Sequence, residues 1–247
     1  MAFVKRAVQH AALFFVLVLA ALAAVAHRFE RSTIDPDFWW HVRVGDWILH
    51  THSFPHFGVF SQHADRAWVA YSWAFEVLMA SLFRLGGLAT LPLTLAAFRA
   101  VIVFAVFGMT LLISNRFWLA WLLTAAAAFP LASIMVLRPI LFTLLFSIIE
   151  LTLIFYARTR TSVAPLYWLP LVFLLWANTH IQFVYGLFVL TLFMGCELLR
   201  VAVPPPRRSW VSASPIQARP LRLLLVYFAS SSPRSSDRTG EGCTGRS

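Results

Sequence analysis

A chain of 247 residues that is 60% hydrophobic and only 12% charged falls well short of the roughly 25% charged residues of a soluble domain. Its apolar residues come in runs about as long as the ~20 residues that cross a bilayer, which excludes a merely greasy soluble fold. The net charge of +10 fits basic cytoplasmic loops rather than a nucleic-acid partner, because no basic stripe interleaved with aromatics is present.

In chain order, Lys5 and Arg6 precede an apolar run that ends in Ala24-Val25-Ala26. That pattern is shared with secretory signal peptides, but residues 7 to 26 are long enough to span, so an uncleaved first helix is the simpler expectation. Further spans are expected at about 88 to 113, 117 to 137, 139 to 157, 165 to 179 and 183 to 200, about six in all. The fold class expected is therefore all-α, a polytopic transmembrane helical bundle.

Residues 68 to 85 are apolar enough to span yet carry Glu76 and Arg84. If they do not cross, Lys5, Arg6, Arg116, Arg158, Arg160, Arg200, Arg207 and Arg208 all fall on the cytoplasmic side. That sorting predicts a helix in or near the outer interface, with Trp68 and Trp73 suited to the position. The N-terminus is then cytoplasmic and residues 27 to 87 form an outer loop of amphipathic interfacial helices. This loop holds six of the ten acidic residues, six of the eight histidines and five of the ten tryptophans, so the chemistry is expected there.

Within the loop, Asp35-Pro36-Asp37 reads as a helix start. Asp35 can accept free backbone N–H groups, Pro36 suits the first helical position, and Asp37 favours the positive end of the dipole. The helix is expected to run to about His50. Asp37, Trp40, His41, Val44 and Ile48 would share one face, and Trp39, Arg43, Asp46 and His50 another. The first face would turn Asp37 and His41 toward the interior, where a carboxylate could act as a base; simple capping by both aspartates is the other reading of the same spacing.

Two charges interrupt the spans. Arg99 and Glu150 lie equally far from the expected outer ends at 88 and 139, so the two are expected to approach each other or a polar cavity, because unpaired charge at the bilayer centre is costly. Glu197 and Arg200, three residues apart at an inner helix end, read as a surface pair. Cys196 lies in an apolar run and Cys243 in a polar tail, which suggests neither a disulfide nor a metal motif. From 204 onward the chain turns Pro-, Arg- and Ser-rich; the apolar patch Leu221 to Ala229 is too short to span. Residues 204 to 247 are expected to be disordered or to come from a shifted reading frame.

The order of an N-terminal span, DPDFWWHVRVGDWILHTHSFP, WVAYSWAFEVLMASLFRLGG, RPILFTLLF and LPLVFLLWANTHIQFVYGLF resembles bacterial multi-pass glycosyltransferases of the GT-C superfamily, relatives of protein mannosyltransferases and aminoarabinose transferases. The resemblance covers about residues 7 to 200, within a transmembrane region of 1 to 203. It implies a protein of the bacterial inner membrane that takes a lipid-linked donor, a polyprenyl phosphate sugar, and transfers the sugar to an outer-face acceptor. It also implies an acidic residue early in the first outer loop as the catalytic or metal-associated carboxylate. The matching positions are Asp35 and Asp37, which the resemblance does not separate, and it leaves a divalent cation open. Arg138 is the candidate for the donor phosphate, since arginine can hold phosphate oxygens bidentately. His180, followed here by Ile181 and Gln182 where the resembled proteins carry small residues, and Glu76 complete the candidate substrate-binding set with His41. Proteins of this kind continue into more spans, so the chain reads as the N-terminal portion of a longer enzyme, and a truncated, inactive fragment is part of that reading. The alternatives are a transporter or permease with Arg99 and Glu150 on a midplane path, or a non-catalytic membrane scaffold.

Overall fold

The structure is a computed structural model that describes residues 35–58, 60, 62, 67–160, 162–202 and 220–231. The expected first span at 7 to 26, together with His27, Glu30 and Asp65, lies outside the described residues. So does most of the stretch from 204 to 247.

The architecture is all-α. Helix α1 (Pro36–Thr51) begins as its sequence dictates: Asp35 is the N-cap, Pro36 opens the first turn, and the Asp35 side chain accepts the Asp37 N–H. His52 ends the helix in the left-handed region at φ 52°. Helix α2 (Trp73–Gly86) lies against α1, and residue numbers rise together along the two: His41 meets Glu76, while Asp46 and His50 meet Arg84. The pair is therefore parallel. Gly45 makes the close crossing possible, because a methyl there would collide with the Glu76 carbonyl and with Ala80.

After α2 come a 3-10 turn, Gly87–Ala89, and then α3 (Thr90–Ser114). Together α2 and α3 form an apolar stretch of 42 residues, Trp73–Ser114. As one straight helix it would run roughly 60 Å, twice a bilayer's hydrocarbon core. Gly87, at φ 59°, breaks it, and the Thr90 hydroxyl folds back to donate to the Leu82 carbonyl at 3.2 Å. Positive φ is open to glycine because no Cβ opposes it.

Helix α4 (Phe117–Ile134) returns alongside α3 after the turn at Asn115 and Arg116. An irregular stretch from 135 to 139 leads to α5 (Ile140–Arg160), followed by a 3-10 segment, Ala164–Trp168, then α6 (Leu169–Thr179) and α7 (Phe183–Ala202). Among the described residues four segments are long and apolar enough to cross a membrane: Trp73–Ser114, Phe117–Ile134, Ile140–Arg160 and Phe183–Arg200. The expected span at 165 to 179 is not among them, because its α-helix has only 11 residues and reaches roughly 16 Å at 1.5 Å per residue.

Two apolar clusters hold the bundle together. Phe38, Phe75, Met79, Leu91, Leu95 and Ile102 unite α1, α2 and α3. Phe146, Leu169, Phe173, Trp176, Leu190 and Met194 unite α5, α6 and α7, with Trp176 stacked between Phe146 and Phe173. Within a bilayer such contacts hold helices together by close packing rather than by removal from water.

Residues Pro220–Ser231 form a helix, α8, in which Val226 is buried in the second cluster and Tyr227 accepts a hydrogen bond from Thr191 at 3.2 Å. The patch is too short to span, but its apolar side docks on the bundle, where it escapes water.

Candidate functional site

The chain places one end of each of six elements around a single cavity of about 430 Å³, lined in part by Asp37, His41, Ser72, Arg138, His180 and Gln182. Helices α1, α2, α5 and α7 begin here, and α4 and α6 end here. Four helix starts bring the positive ends of their dipoles to the rim of one cavity. The apolar part of the wall is Ile134, Val136, Pro139 and Ile140.

Arg138, in the irregular link before α5, reaches back about 100 residues in sequence to the start of α1. Its guanidinium donates to Asp35 at 2.6 Å and to Asp37 at 3.0 Å. The hydrogen bond from Arg138 holds the Asp35 carboxyl below its ordinary value, against a smaller upward push from burial. The same bond raises Arg138 above its ordinary value. The two aspartates are thereby separated in a way their spacing did not separate them. Asp35 caps α1 and carries the short ion pair, while Asp37 is 70% exposed and lines the cavity. The expectation that Asp37 turns inward holds for its position at the cavity but not for its burial.

His41, one turn after Asp37, lines the cavity with its ring edge-on to Phe75 at 5.2 Å. Its Nδ1 lies 3.2 Å from Glu76 Oε1. Glu76 is itself 3% exposed and sits behind the cavity wall. The expected inner stripe of α1 shifts accordingly: Phe38, Val42, Val44 and Gly45 are its buried residues, whereas Trp40 packs against Phe60 and Trp68. Packing against α2, rather than the apolar period alone, sets that stripe.

His180 closes the far side. Its Nδ1 lies 2.7 Å from the Thr143 hydroxyl, which also accepts the Trp176 indole N–H at 3.1 Å. Burial, aided by the nearby His41, pushes His180 down to about 4. It is a neutral hydrogen-bond donor at physiological pH. Asn178, from the same WANTH stretch, accepts the Trp73 indole N–H at 2.8 Å and so ties α6 to α2.

Sequence reasoning missed Ser72, Thr143 and Asn178. Ser72 is 1% exposed, its Oγ has no partner among the described residues, and it lines the cavity at the start of α2. A buried hydroxyl without a partner is costly, and nothing in its local sequence marks it.

Arg99 and Glu150 are not brought together. Arg99 donates through Nε and Nη2 to the Met135 carbonyl at 3.2 and 2.8 Å, level with the end of α4. Glu150 lies in α5 beside Gly186, Trp176 and Phe173, and its Oε1 has no partner among the described residues. Counting inward from helix ends misjudged the depths, because the first turns of α3 extend past the cavity end of the bundle. Glu197 is also not a surface residue. It is 2% exposed at the opposite end, with Arg200 at 3.5 Å and Arg158 at 3.9 Å.

A divalent cation finds no donor set. Among the described residues no three His, Cys, Asp or Glu side chains gather to hold a metal ion, and the Arg138 guanidinium occupies the position between Asp35 and Asp37. Comparison with family models, with curated proteins and with solved structures finds no match to this chain. Sequence and geometry together describe a helical protein with four candidate membrane spans and a polar cavity at one end of the bundle.

Proposed function

We propose that this chain is a membrane glycosyltransferase that moves a sugar from a polyprenyl phosphate donor to an acceptor at the outer face. The observation that carries this reading is the makeup of the cavity: a cation, a neutral imidazole donor and an unpartnered hydroxyl at convergent helix starts, beside an apolar wall. Such a set suits a phosphate with a lipid tail. Helix N-termini and arginine both favour phosphate oxygens, and Ile134, Val136 and Ile140 suit the first isoprene units. The resemblance of residues 7 to 200 to GT-C enzymes points the same way.

In this reading Arg138 exchanges part of its contact with Asp37 for the donor phosphate. Both partners are substantially exposed, at 42% and 70%, and exposed pairs contribute little, about 0 to 1 kcal/mol. Asp35 keeps its cap and its short bond, so Asp37 is the carboxylate available to substrate. His180 and Ser72 donate to phosphate or sugar oxygens. The cavity end faces outward, the N-terminus is cytoplasmic, and residues 7 to 26 add a fifth candidate span to the four.

The transporter reading needs Arg99 and Glu150 on one path, but Arg99 bonds the Met135 carbonyl while Glu150 lies among Gly186, Trp176 and Phe173. Membranes carrying Asp35→Asn or Asp37→Asn, assayed with a labelled lipid-linked sugar, test the proposal. Asp37→Asn should lower transfer roughly ten-fold, the size of one lost charged hydrogen bond. Undiminished transfer by the double variant would discard it.

A further inference from the structure

Glu76 stands behind the cavity and not in its wall. Burying a carboxylate is costly unless a specific partner receives it, and the partner here is His41 Nδ1 at 3.2 Å. The helix crossing fixes that contact. Gly45 sits one turn after His41, against the Glu76 backbone carbonyl, and Phe75 holds the ring edge-on. A carboxylate accepting at Nδ1 places the proton there and leaves the lone pair on Nε2, the free edge of a ring that lines the cavity.

We propose that His41 takes the proton of the acceptor hydroxyl and that Glu76 is its positioning residue. This rests on the glycosyl-transfer reading. The acceptor oxygen bonds to the anomeric carbon, and the bond from that carbon to the donor phosphate breaks, its electron pair leaving with polyprenyl phosphate. The hydroxyl proton passes to His41 Nε2 and is then released to water. Protonating His41 converts its 3.2 Å contact with Glu76 into an ion pair, which stabilises the imidazolium. His180 faces the same cavity, but Thr143 engages its Nδ1 and burial holds its ring at about 4, which makes it a poor proton acceptor.

The test uses the full chain in native membranes, with His41→Gln, Glu76→Gln and Glu76→Asp. Turnover of a labelled polyprenyl phosphate sugar is measured alongside carbethoxylation at His41 by diethyl pyrocarbonate, read by peptide mass. His41→Gln should lower kcat roughly 100-fold, the contribution of a general base. Glu76→Gln should lower kcat roughly ten-fold with little change in KM, as expected for a group that orients the base and stabilises the imidazolium. Glu76→Asp should recover part of it. Carbethoxylation at His41 should slow several-fold in Glu76→Gln, and near-UV circular dichroism of the tryptophans checks that the variants stay folded. A wild-type chain that transfers no sugar removes the glycosyl-transfer reading, while the carbethoxylation still judges the dyad. Full kcat in folded His41→Gln, or equal modification rates at His41 with and without the Glu76 carboxylate, overturns the proposal.

Discussion

Asp35 joins two structures that the chain keeps about 100 residues apart, the start of α1 and the link before α5. Its Oδ1 accepts the Asp37 N–H at 3.0 Å and the Arg138 guanidinium at 2.6 Å. Asp35→Ala removes both and should destabilise the protein by about 1 kcal/mol from the cap alone. Asp35→Asn, which can still cap, should lose less; thermal unfolding in detergent, followed by tryptophan fluorescence, separates the two, and equal midpoints for Asp35→Ala and the wild type would exclude the cap. The pH dependence follows from two groups. Asp35 is held below its ordinary 3.8 by Arg138, so its contribution is complete above 3.8 and is lost as pH falls through the lower folded value. His180 is held at about 4 against an ordinary 6.5. The unfolded chain therefore binds more protons at this site between those values, and stability falls as pH drops from 6.5 to about 4. His180→Gln should flatten the melting curve against pH across that window; an unchanged slope would mean that His180 titrates normally.

At the scale of elements, the α1–α2 crossing sets the site. Gly45 permits an approach that brings His41 to Glu76, and Asp37 and Ser72 line the same cavity. Gly45→Ala would drive a methyl into the Glu76 carbonyl, a backbone atom that cannot swing aside. The expected cost is about 1 to 3 kcal/mol for an overpacked contact, with loss of the His41–Glu76 contact. Denaturant titration together with carbethoxylation at His41 checks both, and wild-type values in each would show that α1 is free to shift. Helix α6 illustrates a second device. At 11 residues it is too short to cross, yet Trp176 and Asn178 bond it to α5 and α2, so it ends where His180 can face the cavity.

At the scale of the molecule, charge is sorted to two ends. Asp35, Asp37, His41 and Arg138 gather at the cavity, while Arg116, Arg158 and Arg200 lie at the opposite helix ends. The excess of arginine at one end predicts which side is cytoplasmic. With Cys196 and Cys243 replaced by serine, an impermeant maleimide should label Ser53→Cys in intact cells and Thr159→Cys only after lysis. The reverse pattern would invert the protein and place the cavity inside.

The sequence by itself determined the solvent of each segment and the start of α1. Continuous apolar runs need lipid or one another, and Asp-Pro-Asp satisfies a helix start locally, so neither depends on distant residues. Asp35, Asp37, His41 and Glu76 stood out as candidates because polar residues are so concentrated in the outer loop, and Arg138 and His180 because of the family resemblance. Only the tertiary structure decided which of them meet. Arg138 chose Asp35 and Asp37, His41 chose Glu76, and Arg99 took a carbonyl in place of Glu150, since helix offset and crossing set these distances and neither is written in the spacing along one helix. The places of Ser72 and Thr143 at the site were hidden for the same reason: a small hydroxyl looks alike in any helix until its neighbours are fixed.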